Sequence, residues 1–359
     1  MRTSKRLAVM ALAASIFVVA ACGDDEEDPV STNAPAATTE TDGTTAPAPA
    51  GDLKVGIAYD TGGRGDGTFN DAAAAGADRA KTELGATLDE LEATSDEDRK
   101  PNLTTLTENG DNPVIAVGFL FSDQLAEVAA ANPDTTYAIV DGFVDAPNVK
   151  NLGFAEEQGS FLVGAAAALK SESGHIGFIG GQEIDLIKKF EAGYIAGAQA
   201  VKPDIKIESQ YLGAAGDNAA WASPDKAKEI AAGWYAAGAD VVYSAAGGSG
   251  AGTIEAAVEA DAWAIGVDSD QYLTVGDPEA QAHILTSMLK RVDVAVFQTA
   301  KAVQDGDTAG SVEVFDLSVD GVGYATSGGF IDDIVPQLEE YKAQIISGEI
   351  VVPTTPPAT

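Results

Sequence analysis

The feature that most constrains the fold is a regular alternation of short apolar runs with alanine-rich segments of helical length. Such runs are typical of buried strands, and strands joined by helices are typical of parallel sheets covered on both faces. The pattern therefore predicts an α/β fold. The predicted strands are 53–59, 114–117, 136–140, 175–179, 206–211, 241–244, 263–267 and short strands around 312–317, and the predicted helices are 69–84, 122–131, 190–201, 224–237, 252–259 and 288–304.

The pattern restarts after Gly159, which divides the folded part into two blocks and predicts two lobes. Ligands of open parallel sheets bind beyond the carboxyl ends of the strands. Two facing lobes would therefore enclose a cleft that residues at the strand ends line. The predicted bounds are 53–157 with about 288–320 for lobe 1, 158–287 with about 321–348 for lobe 2, and 349–359 for a flexible tail.

The N-terminus has the order of a lipoprotein signal peptide. Arg2, Lys5 and Arg6 precede an apolar run at 7–19, and small residues then lead to Cys22, the single cysteine of the chain. This order predicts a signal peptide at 1–21 and acylation of Cys22, which would anchor the protein on the extracytoplasmic face of the cell membrane. The alternative is an ordinary secretory signal, with Cys22 an incidental small residue.

Residues 22–52 are rich in Asp, Glu, Thr, Ala and Pro and have no apolar periodicity, so we expect a disordered tether. The whole chain has a formal net charge of −35. Such a surface repels phosphate backbones, which argues against nucleic-acid partners. The acidity is interpreted either as a cation-binding surface or as a solvated coat, and the scattered positions of the acids favour the coat.

The first predicted strand runs into a glycine-rich loop at 60–70 that contains an acid, an aromatic ring and an amide. These are Asp60, Phe69 and Asn70. Glycines allow the backbone to approach a ligand closely, and the following helix offers free N–H groups. The loop matches neither a P-loop nor a dinucleotide turn. Asp60 could instead cap a neighbouring turn, and Phe69 could instead be a core anchor.

Acids also end strands in both blocks, Asp141 in the first and Asp268 in the second. Carboxylates in these positions suit the hydroxyl donors of a sugar. Gly247 and Gly248 form a second glycine-rich turn. Lys290 lies just inside the predicted late helix, where the pattern alone favours a surface lysine paired with an acid over a ligand contact.

The sequence offers few candidate catalytic residues. Paired carboxylates can hydrolyse glycosides only when their environments differ, and no nucleophile–base pair is evident. The two histidines, His175 and His283, do not have the spacing of metal ligands. We therefore expect a binding protein rather than an enzyme, without a metal or a cofactor.

Together these segments resemble the basic membrane protein family of substrate-binding lipoproteins, which includes purine nucleoside receptors of ABC transporters. The resemblance extends from about Val55 to Ile346. It is carried by residues 60–70, 117–119, 157–164, 177–181, 190–194, 246–250, 266–271 and 285–293.

The resemblance implies that a base stacks between Phe69 and Trp221, while Asp60 and Asn70 bind its edge. Trp221 stands where the family carries a phenylalanine, and the first loop also departs from the family in having Arg64 and Asp66.

The resemblance further implies that Asp268 and Lys290 hold the ribose, with the Gly247–Gly248 turn beside it and Asp141 as a further acid. Lys290 would also balance the charge of Asp268. The implied fold is the two-lobed type I periplasmic-binding-protein fold. The implied partners are a nucleoside, with a purine nucleoside favoured, and ABC permease subunits, and the protein is expected to be a monomer. The alternative is a sensor or receptor that binds another small polar ligand, such as a sugar.

Overall fold

The computed structural model describes residues 53–358, so the predicted signal peptide, the tether and Cys22 lie outside the described residues. The first half of the described chain contains β1 (Lys54–Tyr59), α1 (Phe69–Leu84), β2 (Thr87–Glu92), α2 (Asp96–Glu108), β3 (Val114–Val117), α3 (Ser122–Ala131), β4 (Tyr137–Val140), β5 (Val149–Phe154), α4 (Glu156–Lys170), β6 (His175–Glu183) and α5 (Asp185–Val201).

The second half completes both lobes. It contains β7 (Lys206–Ala214), α6 (Pro224–Ala236), β8 (Val241–Ala245), α7 (Gly250–Ala260), β9 (Trp263–Asp268), α8 (Gln271–Thr274), α9 (Pro278–Gln281), β10 (Ile284–Lys290), α10 (Val292–Gln304), β11 (Ser311–Phe315), β12 (Val322–Tyr324) and α11 (Val335–Ile346).

The strands form two six-stranded sheets, one in each lobe. The order in lobe 1 is β11-β5-β4-β3-β1-β2, with all neighbours parallel, and the order in lobe 2 is β12-β10-β9-β8-β6-β7, where only β12 is antiparallel to its neighbour. The predicted α/β fold of two helix-covered parallel sheets is confirmed. The chain crosses between the sheets after β5, after β10 and after β11, so three segments join the lobes.

The structure corrects the sequence prediction around the second crossing. The predicted helix 288–304 begins too early, because residues 284–290 form β10 and the helix begins only at Val292. The boundary at 288 thus falls inside a strand of lobe 2. Nearly every residue of β10 is buried, and periodicity cannot distinguish a short, fully buried strand from a buried helix.

Helix α4 follows the first crossing and packs closely against α5. A Cβ atom on Gly193 of α5 would lie 2.1 Å from the carbonyl oxygen of Glu157, so only glycine permits this approach. The close packing fixes the start of α4 beside the crossing. In the C-terminal segment, Val352 is buried against the core. Among residues 53–358, every helix is too short or too polar to span a bilayer.

Candidate functional site

The carboxyl ends of the strands in both lobes border one cleft. The space between its lining atoms is about 700 Å³, counted together with the open solvent at its mouth. All nine residues singled out from the sequence line this cleft: Asp60, Phe69, Asn70, Asp141, Trp221, Gly247, Gly248, Asp268 and Lys290. Their roles toward a ligand remain predictions.

Asp60 is fixed from behind by a buried arginine that the sequence analysis missed. Arg99 of α2 donates from Nε and Nη2 to Asp60 Oδ1, at 3.2 and 2.8 Å, and the backbone N–H of Thr61 donates to the same oxygen at 2.7 Å. Asp60 Oδ2 accepts no hydrogen bond from the described residues. Asp60 therefore caps the turn at Thr61 and also forms a buried ion pair with Arg99.

Asp66 has a different role from Asp60, although both lie in the same loop. Its two oxygens accept from the backbone N–H groups of Thr68, Asn70 and Asp71 at 2.9–3.1 Å, which caps the start of α1. Asp66 Oδ2 also accepts from Asn70 Nδ2 at 3.0 Å. A carboxylate only accepts, so this bond sets the orientation of the Asn70 amide. Asn70 Oδ1 is then buried without a partner in the described part of the chain.

Arg64, the other departure in the first loop, does not line the cleft. Its guanidinium pairs with Glu90 at 2.7 Å and with Asp78, on the outer side of lobe 1. Arg64 therefore adds no charge to the cleft, whereas Asp66 lines it with both carboxylate oxygens already hydrogen-bonded within the loop.

Aromatic rings line the cleft from both lobes. Phe69 is the first residue of α1 in lobe 1, and Trp221 ends a 3₁₀ turn, Asn218–Trp221, in lobe 2. Phe119 of lobe 1 stands edge-on to Trp221, with ring centroids 6.4 Å apart and an interplanar angle of 71°. The motif at 117–119 was noticed in the sequence, but nothing in the pattern assigned Phe119 to the cleft.

Lys290 is the last residue of β10 rather than part of a helix, and it is buried. Its Nζ lies 2.5 Å from Asp141 Oδ2 and 3.2 Å from Glu156 Oε1. The expected balance with Asp268 is therefore indirect, because the ion pairs of Lys290 in the described residues are made with Asp141 and Glu156. Glu156, the first residue of α4, was missed although the family-like motif begins directly after it.

Both acids at the strand ends have a left-handed backbone conformation and a raised pKa. Asp141 and Asp268 have φ angles of 62° and 64°, in the left-handed region, which aspartate adopts more readily than most non-glycine residues. Burial raises the pKa of Asp268 to about 7, against the opposing charge of Lys290. Burial also raises the pKa of Asp141. Burial alone would lower the pKa of Lys290, but the carboxylates of Asp141 and Glu156 outweigh it and raise that pKa.

This arrangement can bind a ligand of mixed character. Two lobes provide flat apolar walls, while Asp60, Asn70 and Asp268 present oxygen atoms that accept hydrogen bonds. Small-molecule sites typically combine an apolar lining with a few placed polar groups. The cleft therefore suits a planar ring that carries donors and is joined to a hydroxyl-rich group.

Comparison with known proteins gives matches over the whole folded part. A family model described as Bmp, ABC transporter substrate-binding protein PnrA-like, matches residues 53–356. A "CD4+ T-cell-stimulating antigen" of Listeria innocua is 34% identical over 98% of each chain. An "ABC transporter nucleoside-binding protein BmpA" of Lactococcus lactis is 35% identical over 84% of this chain and 90% of its own length. The crystal structure of a solute-binding protein of an ABC transporter system from Aeropyrum pernix superposes with a TM-score of 0.72, at 29% identity, over 84% of this chain and 94% of that one.

Proposed function

The chain belongs to the family of PnrA-like ABC transporter substrate-binding proteins, and from this premise we propose that it captures a nucleoside outside the membrane and delivers it to an ABC importer. Proteins of this class bind small ligands and pass them to permeases. The observation that carries the nucleoside proposal is that one cleft is lined by aromatic rings and by carboxylates from both lobes. The relative from Lactococcus lactis, named as nucleoside-binding, supports it.

In this proposal the base lies between the rings of Phe69 and Trp221. Stacking on an aromatic ring contributes ~1–3 kcal/mol per base in single-stranded nucleic-acid complexes. Asp60 Oδ2 and Asn70 Oδ1 are the acceptors without partners at this end, so the base edge should present N–H donors. The ring N–H and exocyclic amino groups of purines provide them.

The ribose in this proposal lies at the ends of β4, β9 and β10. Asp268 is buried and accepts no hydrogen bond from the described residues, which is costly for a carboxylate unless a ligand supplies donors. The ribose hydroxyls are such donors. Lys290 offers an N–H donor to a sugar oxygen, and Asp141 holds it in place.

The test is calorimetric titration of the purified chain with guanosine, inosine, guanine, hypoxanthine and ribose. We expect the ribosides to bind most tightly, and a saturating riboside to stabilise the fold by about 2.7 kcal/mol at one hundred times Kd. Asp268→Ala should weaken the ribosides by ~1.5–3 kcal/mol and leave the free bases nearly unchanged. The matched control is Asp261→Ala, which replaces an aspartate with the same left-handed backbone (φ 52°) before the opposite end of β9.

Equal losses for riboside and base in Asp268→Ala would contradict the ribose assignment. Failure of every nucleoside to bind would contradict the proposed ligand class. Recovered ligand should be intact nucleoside, since we propose binding without chemistry; release of free base would instead indicate an enzyme.

A further inference from the structure

The arginine behind Asp60 belongs to a chain of hydrogen bonds that extends to the opposite lobe. Arg99 is 2% exposed and does not line the cleft. Besides its two bonds to Asp60, it donates from Nη1 to Asp96, the first residue of α2. One guanidinium thus connects a carboxylate in the cleft wall with a carboxylate at the surface of lobe 1.

Asp96 joins the two lobes. Its Oδ1 accepts from Nδ2 of Asn218 in lobe 2 at 3.0 Å. The amide of Asn218 is oriented on its other side as well, because Gln182 Nε2 donates to Asn218 Oδ1 at 3.0 Å. Gln182 is buried in β6 and its own oxygen accepts from the N–H of Gly216 at 2.9 Å. The contact between the lobes is therefore a hydrogen bond from the Asn218 amide, whose orientation Gln182 fixes, to the charged carboxylate of Asp96.

Asn218 is also the first residue of the 3₁₀ turn that ends in Trp221. Three positions along this turn separate the amide that contacts lobe 1 from the ring that lines the cleft. If the lobes part, Asn218 loses Asp96, and the turn that presents Trp221 loses this hydrogen bond to lobe 1.

We propose that Asp96, Arg99 and Asn218 are positioning residues that couple ligand contact at Asp60 to closure of the lobes and to the placement of Trp221. This inference takes only the identity of the ligand from the proposed function. A ligand that binds Asp60 fixes Arg99, and a fixed Arg99 holds Asp96 where Asn218 meets it. Because this contact spans the two lobes, it favours the closed state and slows release.

The test uses Asp96→Ala, Asn218→Ala and the double variant, with guanosine as the probe. None of these positions lines the cleft. Loss of a hydrogen bond to a charged group should weaken guanosine binding by about tenfold in each single variant. The loss should come from faster dissociation, with the association rate nearly unchanged. The double variant should be no weaker than Asp96→Ala alone, because Asn218→Ala removes only a contact that Asp96→Ala has already removed.

The matched control lies at the other end of the same helix. Asn109 donates to Asp89 at 3.3 Å, an exposed Asn–Asp bond within lobe 1, and Asn109→Ala should not change guanosine dissociation. If Asp96→Ala and Asn218→Ala release guanosine at the wild-type rate, the positioning role is wrong while the nucleoside proposal stands. Additive losses in the double variant would also overturn it.

A second measurement does not depend on the ligand. Asn218→Asp places a carboxylate against Asp96, and repulsion between like charges should open the lobes. Small-angle scattering of the free chain should then give a larger radius of gyration than for wild type, and Asn109→Asp should not. If no nucleoside binds the wild type, the proposed function fails, and an unchanged radius in Asn218→Asp would overturn the coupling on its own.

Discussion

Asp268 is the single residue whose ionisation most directly affects the cleft. It is surrounded by one cation, Lys290, and by the carboxyl groups of Asp141, Asp66 and Glu156, and burial raises its pKa to about 7. A folded-state pKa above the unfolded value means that the charged form is disfavoured by folding. The contribution of Asp268 to the free energy of unfolding is therefore complete below about pH 4 and is lost as the pH rises through 7.

Nucleoside binding should accordingly depend on pH. The ionised carboxylate is the better acceptor for two ribose hydroxyls. Nucleoside binding should therefore favour ionised Asp268, and near neutral pH it should release the proton from the fraction of Asp268 that is protonated. We expect the affinity for guanosine to fall by up to about tenfold per pH unit below 7. Titration calorimetry from pH 8 to 6 measures this, and Asp268→Asn should flatten the profile. An unchanged profile in Asp268→Asn would assign the dependence to another group.

The residues at strand ends could be predicted, because the end of a parallel strand places its side chains at the ligand edge whatever the rest of the fold does. Arg99, Glu156 and Phe119 could not. Arg99 lies inside a polar helix with no local signal, and its importance comes from contacts with residues distant in sequence. The same limit separates Asp60 from Asp66, since only the three-dimensional hydrogen bonds show which carboxylate is already used.

At the scale of elements, the errors of the sequence analysis lie where the apolar pattern is weak or continuous. Strand β2 is a mostly polar edge strand and was not predicted, and β5 was missed between two turns. Strand β10 was taken for the start of a helix. The central strands were predicted because they are short, buried runs bounded by turn residues.

Strand β6 determines where the Trp221 ring can lie. A Cβ atom on Gly181 would be 2.2 Å from that ring, so Gly181→Ala must displace it. We expect guanosine binding to weaken by about tenfold or more, the scale of one lost stacking interaction. Calorimetry of the variant measures the loss, and near-wild-type affinity would show that Trp221 does not contact the base.

The same strand offers the control. A Cβ atom on Gly177 would lie 2.5 Å from the ring of Trp234, which belongs to α6 and does not line the cleft. Gly177→Ala should therefore lower the melting temperature of the chain without a matching loss of affinity. Comparison of the two variants distinguishes displacement of the Trp221 ring from general destabilisation of lobe 2.

At the scale of the whole molecule, the two lobes touch across the cleft at more than one place. Ser269 Oγ donates to the carbonyl of Thr68 at 2.8 Å, and Thr274 Oγ1 donates to the carbonyl of Gly67 at 3.1 Å. Through these bonds, lobe 2 contacts the lobe 1 loop that carries Asp60 and Phe69. Closure therefore fixes both walls of the cleft at once, and a ligand that fits between them favours the closed state by its greater affinity for it.

The acidic charge and the N-terminal sequence both bear on how the folded part would be held near a membrane. A net charge of −35 keeps the chain soluble and repels anionic lipid headgroups, so electrostatics would not hold it at a membrane. A substrate-binding protein that serves a permease must nevertheless stay close to it. A lipid on Cys22 would provide that retention, and about thirty tether residues would give the lobes room to meet the permease.

Replacing the one cysteine tests this retention. Cys22→Ser removes the thiol that would accept the diacylglyceryl group, and the protein should move from the membrane fraction to the soluble extracytoplasmic fraction. Fractionation after growth with radiolabelled palmitate measures both the location and the acylation. The released variant should bind guanosine as the wild type does, because position 22 precedes the lobes. A variant that remains membrane-bound and labelled would show that the anchor lies elsewhere, and a wild type that is already soluble would favour an ordinary secretory signal.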